Sequence, residues 1–67
     1  MSDPIETTAN ELATMADNIG QYRSRVASVA ERHIGTERDD LVAAIHEAER
    51  QLRVAERAIV RAVRTAR

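Results

Sequence analysis

The first half of the chain carries two interleaved rows of mostly apolar positions, each repeating every seven residues. The first row is Ile5, Leu12, Ile19, Val26 and His33, and the second, three residues behind it, is Thr8, Met15, Tyr22 and Val29. A heptad pattern sustained over four repeats predicts one long helix with an apolar seam. Asp3 suits the N-cap, Pro4 the first helical position and Glu6 a capping box. We therefore predict a first helix over about residues 4–33.

The stretch HIGTERDD, residues 33–40, interrupts this pattern. Gly35 can adopt the left-handed conformation that ends a helix, and Thr36 is a suitable N-cap for the next one, with Asp39 completing a shortened capping box. We predict a turn at about residues 34–36 and a second helix over about 37–66. So short a link places the two helices antiparallel. The predicted fold class is all-α, an antiparallel αα-hairpin forming one domain over residues 1–67.

The second helix has a seam in which one row is almost entirely alanine. Its rows are Ile45, Leu52, Ile59 and Ala66, and Leu41, Ala48, Ala55 and Ala62. The alanine row is either simple alanine richness in a good helix former or a close contact with the first helix. Val42, Val60 and Val63 widen the apolar arc beyond what one helix can cover, which predicts a dimer of hairpins forming a four-helix bundle. The predicted interface comprises Leu12, Met15, Ile19, Tyr22, Val26, Val29, Leu41, Ile45, Leu52, Ala55 and Ile59.

Composition strengthens the expectation of a partner. The chain has 67 residues, no cysteine, no tryptophan or phenylalanine, and Tyr22 as its only aromatic residue. A domain of this size without disulfides or large aromatic side chains is marginally stable alone. Its net charge of −1 does not indicate nucleic acid as a partner. No apolar run is long enough to span a membrane and no signal-peptide pattern is visible, so we expect a cytoplasmic protein.

Arginine supplies all ten basic residues, and five of them share one face of the second helix. This arginine row is Arg50, Arg53, Arg57, Arg61 and Arg64. Three interpretations are open: a solvated face balanced by acids of the first helix, a contact for an acidic protein, or a contact for phosphate groups. The absence of lysine and of stacking aromatic residues disfavours nucleic acid. Arg23 falls inside the apolar arc of the first helix. Its head either reaches Glu49 or Glu56 and fixes the register, or lies in solvent at the rim.

Residues suited to catalysis or metal binding are few. His33 continues the heptad row and His46 lies among the arginines. The segment HEAER, residues 46–50, differs from the metalloprotease pattern H-E-x-x-H because Arg50 replaces the second histidine. No phosphate-binding glycine loop or nucleophile motif is present. We therefore expect neither an enzyme, nor a cofactor, nor a metal site.

The turn residues His33, Ile34 and Gly35, between two antiparallel helices, resemble the Trp-x-Gly turn of the WXG100 (ESAT-6-like) family of type VII secretion proteins, with histidine in place of tryptophan. The alternation of large aliphatic residues and alanine in the second helix is also similar to that family: Leu52, Ala55, Ile59 and Ala62. The resemblance implies a hairpin that pairs with itself or a sister hairpin and is exported without a signal peptide. The family's C-terminal Tyr-x-x-x-Asp/Glu signal has no counterpart in these residues.

Three functions follow from these patterns. The first is a small non-enzymatic interaction or assembly module that pairs with itself or with another helical protein. The second, implied by the resemblance, is a partner protein of type VII secretion. The third is a nucleic-acid or ribosome-associated accessory protein that uses the arginine row.

Overall fold

Two helices of equal length make up almost all of the computed structural model, which describes residues 4–67. Helix α1 spans Pro4–Glu31 and helix α2 spans Asp39–Ala66, with 28 residues in each. The helices pack against each other along their length, and no strand occurs in the described part of the chain. The predicted all-α hairpin is confirmed. The Cα trace measures 56 × 16 × 10 Å, the shape of a short rod.

The link between the helices is longer than predicted. It covers residues 32–38, because α1 ends two residues before the predicted end at 33 and α2 begins two residues after the predicted start at 37. Gly35 has φ +83°, the left-handed conformation that its sequence position indicates.

Thr36 orders the link and does not cap α2, so the predicted cap is wrong. Its hydroxyl donates to the His33 carbonyl at 2.7 Å and accepts from the Arg38 N–H at 3.2 Å. Arg38 takes the N-cap position of α2, with no side-chain capping bond. A hydroxyl that closes a local turn competes with its use as a helix cap. The predicted cap of α1, Asp3, lies outside the described residues.

Small side chains of α1 form its contact with α2. Three alanines are buried, with exposed fractions of 0% for Ala9, 5% for Ala16 and 1% for Ala30. Other small residues continue the same line at alternating steps of three and four, and they are half-buried. The small-residue stripe of α1 consists of Ala9, Ala13, Ala16, Gly20, Ala27 and Ala30, with Arg23 in the same line.

Larger side chains of α2 lie opposite the small-residue stripe. The inward line of α2 is Val42, Ile45, Glu49, Leu52, Glu56, Ile59, Val63 and Ala66. Val63 is the only buried residue among them, at 8% exposed. Alanine on one helix leaves room for branched side chains on the other, which keeps the contact close-packed.

Of the two interpretations of the alanine row of α2, a close contact with α1 along the whole row is not what the structure has. Ala48 and Ala62 are exposed, as are Ala44 and Ala58. Leu41 and Ala55 of the same row are half-buried. The row therefore borders the contact with α1, and the small residues at the centre of the contact belong to α1.

The hairpin has a very small core of its own. Its buried apolar residues, within the described chain, are three alanines and one valine. Burying a large aliphatic side chain contributes about 1.5–3 kcal/mol, and an alanine far less. The single hairpin thus gains little from apolar burial for a chain of this length.

Candidate interaction surface

The large apolar side chains of α1 lie beside the small-residue stripe and are largely uncovered. Met15 is 50% exposed and Tyr22 is 57% exposed. The neighbouring apolar residues of the same helix are only half-buried: Leu12, Ile19, Val26 and Val29. The heptad rows predicted for α1 are real, but they follow a flank of the hairpin contact and not its centre.

An uncharged line of α2 continues this surface. Helical residues advance by about 100° each, so Leu41, Ala48, Ala55 and Ala62 lie to one side of the inward line of α2. In an antiparallel pair, positions displaced in the same rotational sense from the contact line fall on the same side of the pair. The rows of α1 and α2 therefore share one side of the hairpin. We call this surface the apolar face: Leu12, Met15, Ile19, Tyr22, Val26 and Val29 of α1 with Leu41, Ala48, Ala55 and Ala62 of α2.

The predicted interface residues divide between two surfaces. Ile45, Leu52 and Ile59 belong to the inward line of α2, where the hairpin itself half-buries them. The other eight lie on the apolar face. The sequence patterns did not single out Ile34, on the link, or Val54, which are 63% and 54% exposed. Single exposed apolar residues of this kind carry no periodic signal.

An open groove runs along the apolar face near the link. It has a volume of about 430 Å³ and is lined by residues of α1 and the start of the link, including Tyr22, Val26 and Val29. The Arg25 guanidinium carbon lies 5.5 Å from the centroid of the Tyr22 ring. This cation–π contact holds a positive charge at the border of an otherwise apolar surface.

The opposite side of α2 carries the arginine row. All five members are exposed, and of these only Arg50 forms an ion pair within the described residues, with Glu47. Arg57, Arg61 and Arg64 line a shallow groove together with Val60. The row therefore presents four guanidinium groups without a carboxylate partner among residues 4–67.

One ion pair joins the helices within the part of the chain that the structure describes. The Arg23 guanidinium donates to the Glu56 carboxylate at 3.2 Å, and the two side chains are 32% and 25% exposed. Arg23 thus reaches one of its two predicted partners and does not lie free at the rim. Gly20 provides the space, because a Cβ at that position would lie 2.7 Å from a carboxylate oxygen of Glu56.

The other ion pairs of the described residues join side chains that are close together in the sequence. Besides Arg23–Glu56, the described residues form Arg38–Asp40 and Arg50–Glu47. The Arg38 hydrogen bonds lower the pKa of Asp40, with help from the Leu41 backbone N–H. A hydrogen bond from Gln51 is the main cause of the lowered pKa of Glu47, and Arg50 adds to it. Acids near the start of α1 do not pair with the arginine row within residues 4–67.

Residues 4–67 contain no group of three or more histidine, cysteine or acidic side chains placed to hold a metal ion. Within the same residues, neither helix combines the length and apolarity needed to cross a membrane. His33 is half-buried at the link and His46 is exposed beside the arginine row. The two imidazoles thus occupy different parts of the hairpin.

Comparisons with protein-family models, with curated proteins and with solved structures each gave no match. The resemblance to the WXG100 family therefore stays a prediction.

Proposed function

We propose that this chain is a small non-enzymatic interaction module that associates through its apolar face, forming a four-helix bundle from two hairpins. The observation that carries the proposal is that small and large apolar residues of α1 lie on different sides of the helix. Its smallest side chains occupy the contact within the hairpin, whereas Met15 and Tyr22 remain half or more exposed. Large apolar residues repeated at heptad spacing are typical of a helix that packs on another helix.

The energetics of the hairpin support the same proposal. A core of three alanines and one valine is small against the conformational entropy of ordering two 28-residue helices. Covering the apolar face would bury larger side chains, each contributing about 1.5–3 kcal/mol when fully buried. Association therefore supplies the burial that one hairpin lacks, as is common for domains of this size.

Sedimentation equilibrium across a wide concentration range, with helicity followed by circular dichroism, tests the proposal. We expect a helical dimer that loses helicity as dilution dissociates it, because folding and association share the same apolar burial. A monomer that keeps full helicity at the highest concentrations would overturn the proposal. A poorly helical monomer would instead indicate that a different helical chain covers the apolar face.

The arginine row supports a second candidate function, binding of an acidic protein segment or a phosphate backbone. The observation that favours it is the set of four exposed guanidinium groups without a carboxylate partner among the described residues. Arginine is well suited to both ligands because its planar group binds carboxylates and phosphates through two hydrogen bonds.

Fluorescence anisotropy with a labelled single-stranded RNA and a labelled poly-glutamate peptide separates the two ligands. If the row binds either one, R53Q/R57Q/R61Q should weaken binding by roughly tenfold or more at low salt, and raising the salt should weaken the wild type steeply. The matched control is R32Q/R38Q/R67Q, which removes the same charge outside the row. Equal losses in both triple variants would show a general charge effect and remove this candidate.

A further inference from the structure

We infer that the second copy docks in an antiparallel, two-fold orientation, α1 on α1, so that Glu11 of each copy meets Arg25 of the other. The inference rests on the proposed self-association and specifies its geometry. The apolar face is therefore covered by a second copy of this chain. The spacing of the apolar rows and the positions of the border charges determine its orientation.

The spacing of the apolar rows on α1 is self-complementary. From Ile5 to Val29 the rows advance by alternating steps of three and four residues. An antiparallel copy centred near residue 17 therefore brings each row into level layers with the other, as in antiparallel coiled coils. The layers are Ile5 with Val29, Thr8 with Val26, Leu12 with Tyr22, and Met15 with Ile19, each formed twice.

The charges that border the apolar face favour the same orientation. Glu11, Asn18 and Arg25 follow one another at seven-residue steps along the outer border of the α1 rows. In the antiparallel orientation Glu11 lies near Arg25 of the second copy, and Asn18 lies near its own equivalent. Side chains of a helix lean toward its N-terminus, which brings such pairs within reach. The dimer would thus contain two opposite-charge contacts and no like-charge contact along this border.

A parallel orientation lacks this complementarity. Border residues of a parallel pair face positions five residues further along the other helix. Glu11 would then meet Ala16, and Arg25 would meet Ala30, neither of which is charged. Both alanines are also already buried in the hairpin contact.

The conformation of Arg25 already fits the inferred contact. Its guanidinium lies over the Tyr22 ring at the border of the groove on the apolar face. In the antiparallel register this groove lies opposite the first turns of α1 of the second copy, which carry Leu12 and Glu11. An apolar side chain would enter beside Tyr22 while the carboxylate reaches Arg25.

The alanine row of α2 is compatible with the same two-fold axis. The two antiparallel helices have equal lengths, Pro4–Glu31 and Asp39–Ala66, so Ala55 lies within about two residues of the level of residue 17. The axis would then pass close to Ala55 and set Ala48 opposite Ala62 of the second copy. Small side chains at these positions let the two α2 helices approach while the larger residues of α1 fill the other half of the bundle.

Charge reversal tests the inferred orientation. We expect E11R and R25E each to weaken the dimer by roughly tenfold, because each change places like charges together at two symmetric contacts. The double variant E11R/R25E has the wild-type net charge and should return the dissociation constant to within about threefold of the wild type. A double variant as weak as the single ones would overturn the orientation.

The variant R25E/E47R provides the competing control. If α1 instead lies on α2 of the second copy, Arg25 falls near Glu47, and this swap would restore the dimer while E11R/R25E would not. That outcome overturns the α1-on-α1 orientation and leaves self-association intact. A wild-type protein that stays monomeric would instead contradict the proposed self-association. The experiment therefore distinguishes a wrong orientation from the absence of a dimer.

Cross-linking gives a readout that does not depend on charge. The chain has no cysteine, so N18C introduces a single thiol beside the inferred axis. A short bis-maleimide should cross-link N18C dimers efficiently and leave Q21C, on the polar side of α1, largely uncross-linked. Equal cross-linking of both variants, or none for N18C in a confirmed dimer, would contradict the inference.

Discussion

Replacing Ala16 by leucine should lower the free energy of unfolding by about 1–3 kcal/mol, the usual cost of extra methylene groups in a packed contact. Ala16 is 5% exposed and lies in the middle of the small-residue stripe. The added carbons would push α2 away from α1 along several turns, because the neighbouring alanines and glycine have no flexible side chain that could move aside to make room. With so small a core, this loss is a large fraction of the total stability.

Thermal unfolding followed by circular dichroism measures this effect at a fixed protein concentration. For a domain of this size each kcal/mol corresponds to about 4–8 °C in the melting temperature, so A16L should melt well below the wild type. The matched control is A43L, the same substitution at an exposed position of α2 that lies beside the arginine row, outside the helix contact and the apolar face. A similar loss in A43L would show that leucine is poorly tolerated anywhere and that the stripe is not the basis of the contact.

Introducing charge into the apolar face should abolish association, and with it the helicity that depends on association. The double variant M15E/Y22E replaces two half-exposed apolar side chains by carboxylates that would be buried in the dimer. Each substitution occurs twice in a symmetric dimer, and each lost burial is worth about 1.5–3 kcal/mol. We expect the dissociation constant to rise by at least a hundredfold, with sedimentation equilibrium as the measurement.

The polar side of the same helix offers a control with the same spacing. T14E/Q21E adds the same two negative charges seven residues apart, at positions that are exposed and lie away from the apolar face. It should dimerise as the wild type does. A dimer of M15E/Y22E as tight as that of T14E/Q21E would show that the apolar face is not the site of association.

The sequence predicted the two-helix hairpin better than it predicted which residues make the contact between the helices. Helix α1 carries two overlapping heptad lines, and periodicity alone favoured the line with the larger apolar residues. In the structure the line with Ala9, Ala16 and Ala30 makes the contact. Alternating steps of three and four between alanine and glycine in α1 were the signal that could have identified this line. Arg23 interrupts the line, which made it look polar.

The charged contacts were predictable only in part. Arg23 lies in the inward line of α1, and one of its two predicted partners, Glu56, is the observed one. In the arginine row, Arg50 pairs with its neighbour Glu47, and the other four members have no carboxylate partner among residues 4–67. A pair within one helix requires less ordering of the backbone than a pair between helices. Sequence patterns do not contain the spacing between the helices that decides this competition.

The rod shape of the hairpin gives the inferred dimer a use as a spacer. Pro4 and Ala66 lie at the end of the rod opposite the link, since the helices are antiparallel and equal in length. In the inferred two-fold orientation the open end of one copy lies beside the link of the other. In the inferred register Pro4 of one copy lies opposite residue 30 of the other, so domains joined to the two copies before Pro4 would be held apart by roughly 39 Å, 26 residues at about 1.5 Å each. Self-association would then determine both the partner of each hairpin and the separation of the domains joined to the two copies.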